Sequence, residues 1–159
     1  MFREIRRNDR LAPAETGTAL LKKATSGILC VLGDDDYPYG VPVNFAYADD
    51  NIYIHCFLDG HKIDAIKKSP KVCFTVLGDE EVMVDQISTN YTSVIIFGKA
   101  ELFPPPENRV REAAFAAIID KYIPDEKERT SKYIEANKAR ANVIRISVEH
   151  MTCKQRSIR

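Results

Sequence analysis

The chain has no tryptophan and only four cysteines, and its basic and acidic residues cancel at 23 each over 159 residues. Each shortage closes off a class of function. Zero formal charge over the whole chain argues for no polyanionic partner, so composition offers no support for a nucleic-acid partner, although it does not exclude a local basic surface. Cys30, Cys56, Cys73 and Cys153 form no C-x-x-C pair, and the ligand spacing of a zinc site is missing. Three of them sit in apolar, strand-like runs, where cysteine packs as a small hydrophobe. No stretch reads as a secretory signal or a long apolar span, so the expectation is a soluble cytoplasmic protein with no membrane partner. The hydrolytic signatures G-x-S-x-G and H-E-x-x-H and the Walker loop are missing too. An enzyme built from this sequence needs a cofactor for the hard chemical step.

What remains is enough for a core. With 45% hydrophobic residues the simplest organisation is a single domain over residues 1–159, without internal repeats. Arg3, Arg6, Arg7 and Arg10 form a basic N-terminal arm. It reads either as a solvated terminus or as a segment folded on the domain or a second subunit, carrying an arginine to a phosphate. Residues 16–24 read as a short helix and 27–33 as a buried strand, closed by the acidic turn Asp34-Asp35-Asp36.

The stretch from Tyr39 to Val76 organises the rest. Tyr39–Tyr47 is β-branched and aromatic, a two-residue turn follows near Asp50, and Asn51–Phe57 returns as a hairpin partner. Gly60-His61-Lys62 then opens a helix, with Gly60 or Asp59 as its cap, Lys67 and Lys68 at its C-terminal end, and Pro70 as its stop. Lys71–Leu77 is a strand, 78–88 a polar connection, and 90–103 the longest extended run, with Gly98 marking a bulge or bend. Glu107–Tyr122 is the clearest helix, with Val110, Ala113, Ala114, Ala117 and Ile118 on its apolar face. A polar helix from an Asp125 cap to about Lys138 follows, and 142–150 closes as a strand. Six strands with separate helices predict an α+β fold: a small closed antiparallel barrel of Greek-key type with flanking helices.

Three features bear on chemistry. Pro42 interrupts its strand, since proline cannot donate to a ladder. It marks either an edge strand or a split in the barrel that frees the backbone of Val41, Val43 and Asn44 for a flat heteroaromatic ligand. His61 and Lys62 stand at a helix N-terminus, where a point charge and free N–H groups suit a phosphate. His55 near a strand end reads first as a structural histidine.

Taken in order, Tyr37–Asn44, Ile52–Cys56 with Gly60-His61-Lys62, and Thr89–Ala100 resemble the FMN-binding split-barrel family. More narrowly they resemble its pyridoxamine 5'-phosphate oxidase-like, nitroimidazole-resistance (Nim-type) members. The resemblance implies a six-stranded split barrel that forms a homodimer and binds two FMN molecules between subunits. By position, Val41, Pro42, Val43 and Asn44 line the flavin ring. His55, Cys56, His61 and Lys62 lie along its ribityl and phosphate end, and Ser93 and Val94 approach from the side. Two departures stand out. The missing tryptophan argues against true pyridoxamine phosphate oxidase activity, and Cys153 precedes Lys154 where glycine is common. The expected function is reduction of a small electron acceptor, for instance a nitroaromatic such as a nitroimidazole. NAD(P)H or another donor reduces the flavin, and His61 acts as proton donor. The alternative is a flavin- or haem-binding storage or sensing module in which His55, His61 or His150 serves as a ligand.

Overall fold

The computed structural model describes residues 2–157, most of them folded around one antiparallel sheet. The strands are β1 (Ser26–Leu32), β2 (Pro38–Asn44), β3 (Ala46–Ala48), β4 (Asn51–Phe57), β5 (Lys71–Met83), β6 (Ser88–Phe103) and β7 (Ala141–Arg156). The α-helices are α1 (Ala14–Lys23), α2 (His61–Lys68), α3 (Arg109–Tyr122) and α4 (Lys127–Asn137).

Seven strands stand where six were expected, because the Tyr39–Tyr47 run breaks at Phe45. Phe45 turns fully into the core, edge-on to Phe74 with ring centroids 4.9 Å apart. The sheet order is β2-β1-β5-β6-β7-β4-β3, so β2 and β3, one residue apart in sequence, occupy its two opposite edges. The sheet must curl until those edges approach. They do not pair, and the expected closed barrel is instead open along this line. Backbone groups at the break still need partners. Tyr122 of α3 supplies them: its hydroxyl accepts from the Phe45 N–H at 3.0 Å and donates to the Thr25 carbonyl at 2.5 Å.

The interior is built by period two. Leu29, Ile52, Ile54, Phe74, Ile96, Ile144 and Ile146 are fully buried, closed at one side by Leu20 and Leu21 of α1. Each such side chain contributes about 1.5–3 kcal/mol on leaving water. A second cluster of Tyr53, Ala114, Phe115 and Val143 lies on the other face of β4 and β7, under α3.

Several boundaries move from the expected ones. The 78–88 connection is strand over 78–83 and at 88, with a 3-10 turn at Val84–Gln86, and β5 and β6 continue as a hairpin past an irregularity between Gly78 and Glu81. Val82, Val84 and Ile87 stand exposed there. The bulge expected at Gly98 is present between Phe97 and Gly98, and a Cβ on Gly98 would lie 2.3 Å from the Ser147 carbonyl oxygen. Asn108 caps α3, its side chain accepting from Val110 and Arg111 N–H. Ala113 is exposed, because that helix turns the fully buried Arg111 inward with Ala114 and Phe115. No side chain caps α4, so Asp125 lacks its expected role. The N-terminal arm is not wholly solvated: Ala12 N–H donates to the Cys153 carbonyl, and Phe2 stacks on His150 at 4.7 Å.

Candidate functional site

Pro42 sits in a strand with a neighbour on one side only. β2 pairs with β1 alone, and its other edge is free. The edge-strand and split-barrel readings of Pro42 therefore coincide. Alternation places the exposed Pro42 and Asn44 on the outer face, while Val41 and Val43 turn inward against the core. Asn44 is fastened by donating to the Thr25 carbonyl at 2.9 Å.

The register carries this outer face across the sheet. Pro42 lies opposite Ile28, Ile28 opposite Thr75, Thr75 opposite Ile95, and Ile95 opposite Thr152. The adjacent row runs Gly40, Cys30, Cys73, Phe97, His150. Ile28, Leu32, Leu77 and Phe97 are all more than a third exposed on this face. Ser93 shares the outer orientation, opposite Leu77 and Lys154. Val94 points the other way and is wholly buried, packed close to Gly17 and Cys153.

The α2 N-terminus stands beside β2. His61 stacks on Tyr39 with centroids 4.2 Å apart and brings Nε2 to 3.6 Å from Asp34 Oδ2. Lys68 reaches 3.7 Å from Asp36, so the acidic turn lies along the helix. Gly60 adopts φ 118°, a conformation that favours glycine, and opens onto empty space. It is the cap position, yet no side chain caps the helix, and Asp59 does not fill the expected role. The first turn thus keeps N–H groups available for an anion, with the half-buried Lys62 next to them. Asp59 remains an exposed negative charge at the rim.

On β4, neighbouring side chains part company. Cys56 faces the core side, where burial pushes its thiol up and the Lys62 charge opposes that shift. His55 faces the opposite side, into a crevice under α3 and α4, and burial pulls its imidazole below the ordinary histidine value. The structure therefore groups Cys56, His61 and Lys62 and sets His55 apart from them.

Sequence reasoning missed four participants. Tyr39 and Asp34 frame His61, and nothing in the local pattern marks a stacked ring or a turn carboxylate as such. Lys121 and Tyr122 clasp the Phe45 break: Lys121 Nζ lies 3.7 Å above the Phe45 ring and donates to the Leu21 carbonyl. A Lys-Tyr pair at a helix end reads as surface in sequence, and only the break it serves reveals it.

A free sheet edge, an uncapped helix start with a lysine, and an exposed face of five strands agree with one family. Residues 13–155 match the family model described as pyridoxamine 5'-phosphate oxidase. The chain belongs to that family. The fold is shared with a candidate 5-nitroimidazole antibiotic resistance protein from Bacteroides thetaiotaomicron, at 20% identity and TM-score 0.75 over 92% of this chain and 86% of that one. It is shared with a FAD-binding protein from Mesorhizobium loti, at 24% identity and TM-score 0.66 over 94% and 97%. A flavocytochrome from Azotobacter vinelandii is similar at 24% identity and TM-score 0.77, over 98% of this chain and 73% of that one. Among curated proteins none matches significantly. Among the described residues no helix is long and apolar enough to cross a membrane, and no group of three or more metal-ligating side chains occurs.

Proposed function

We propose that this protein is a homodimeric, FMN-dependent oxidoreductase that reduces a small acceptor, with nitroaromatics as the favoured class. The observation that carries the reading is the uncapped α2 N-terminus, with Lys62 beside it, set next to the unpaired β2 edge. Those are the two halves a flavin mononucleotide needs: an anion seat and a backbone edge with alternating donors and acceptors. Family membership and the flavin-binding relatives support the same cofactor class. FMN fits better than a dinucleotide because, among the described residues, one anion seat of this kind, the α2 start, lies beside β2.

Bound FMN supplies the electrons, accepted from a donor such as NAD(P)H and passed to the acceptor. The chain's own residues do the rest. Lys62 and the first N–H groups of α2 hold the phosphate. The backbone of Val41 to Asn44 orients the ring, and the half-buried Ser93 stands on the same outer face. His61, held by its stack on Tyr39 and by Asp34, delivers a proton to the reduced acceptor. The apolar rows across β2, β1, β5, β6 and β7 bury themselves against a second copy, which excludes water from the cleft.

The test is direct. Purified protein should carry FMN, bleach with NAD(P)H, and regain its colour when a nitroaromatic is added. Flavin that bleaches but is reoxidised by no small acceptor would leave a carrier rather than a reductase. A Soret band in place of flavin absorbance would favour the haem-binding alternative.

A further inference from the structure

We propose that the crevice between β4 and the α3–α4 pair is a second small-molecule site, built for one monocyclic aromatic ring whose hydroxyl group meets His55. It is independent of the flavin reading, since it opens on the face of β4 opposite Cys56 and Lys62. Phe115, Ile118, Ile134 and Ala141 form its apolar walls.

Size and polarity choose the ligand. The crevice offers about 100 Å³. A closed apolar cavity of about 150 Å³ takes benzene, so one ring enters here with its far side toward solvent. A fused tricycle does not fit. The rim is Tyr133, itself 70% exposed, so substituents on the outer side of the ring meet little obstruction. The other polar side chains at the site are engaged: Lys138 pairs with Glu135 at 2.8 Å, and the Asn137 amide donates to the Tyr133 carbonyl at 2.9 Å. His55 has no hydrogen-bond partner among the described residues. Its side chain is exposed at the crevice mouth, and the protein packed around the ring favours the neutral form, which offers one donor and one acceptor. A neutral imidazole beside an apolar wall can both donate to and accept from a hydroxyl, whereas a carboxylate or a phosphate would use only its N–H and gain no charge attraction.

The experiment titrates phenol and toluene into the protein as purified, with bound flavin retained, and follows the histidine ring nitrogens by NMR. Phenol should shift the His55 signals saturably, and toluene should bind about tenfold more weakly, the worth of one hydrogen bond. His55→Phe should bring the two affinities together. Ala141→Leu, which fills the crevice, should abolish binding while its flavin absorbance stays unchanged. Should that variant fail to fold, Ile134→Phe on the α4 wall fills the same space. No saturable shift, equal binding after the crevice is filled, or displacement of flavin by phenol would each overturn the proposal.

Discussion

Lys121 carries its charge where burial disfavours it. Its amine is pushed down to about 8 by desolvation, although it lies over the Phe45 ring and donates to the Leu21 carbonyl. A lysine whose folded value falls below its unfolded one binds more protons when unfolded, here between about pH 8 and 10.5. Stability therefore rises with pH through that window. Lys121→Met should remove the rise, so the stability difference between the two proteins should change with pH above 8 and stay flat below 7. Denaturant unfolding at several pH values measures it. Lys62 tests the cofactor seat itself. Lys62→Ala should weaken FMN binding by about 1–3 kcal/mol, as expected for losing one charge-assisted hydrogen bond. Unchanged affinity by flavin titration would remove Lys62 from the phosphate seat. The glycine–histidine–lysine corner was legible in the sequence because its chemistry is local, a glycine and a lysine at a helix start. The separation of His55 from Cys56 was legible in principle from strand alternation, yet position within a family motif hid it. The Tyr39 stack on His61 was not legible, since no spacing rule links residues 22 positions apart across a turn.

At the scale of elements, the fold depends on two close approaches. At Gly98 the β6–β7 ladder comes so near that a Cβ would meet the Ser147 carbonyl oxygen at 2.3 Å and Ile146 Cγ2 at 2.9 Å. Gly98→Ala should cost about 1–3 kcal/mol through forced separation of the strands. Thermal unfolding reads this, and a neutral result would mean the bulge absorbs the methyl group. The other is Arg111, buried without exposure, which donates to the carbonyls of Phe103 (2.7 Å), Ala141 (2.9 Å) and Lys138 (2.8 Å). It ties the end of β6 to the start of β7 from the first turn of α3. Arg111→Met leaves those carbonyls and Glu107 without their cation, and should destabilise by about 3–5 kcal/mol. Strands β1 and β6 were legible because each alternates cleanly, and β4 and β7 were legible from their apolar runs although both bury residues on two faces. The Phe45 break was not, because a residue that turns into the core keeps the apolar pattern running while the hydrogen bonding stops. Arg111 escaped for the opposite reason, since an arginine on an otherwise apolar helix reads as solvent-facing until the carbonyls it serves are in place.

For the molecule as a whole, the account needs a partner. A sheet that leaves Ile28, Leu32, Leu77 and Phe97 in water over adjoining strands is expected to cover them with its own copy. Ile28→Asp should shift the protein toward monomer and lower its flavin content together, as gel filtration and absorbance would show. Loss of dimer with full flavin retention would place the cofactor within one chain. The central claim is that a flavin sits at the meeting of the β2 edge and the α2 start, in a cleft completed by a second copy. Sedimentation of the purified protein, followed both in the protein band and in the flavin band, tests it most directly. The account predicts a single dimeric species carrying one FMN per chain, and a colourless monomer that takes up no added FMN would contradict it.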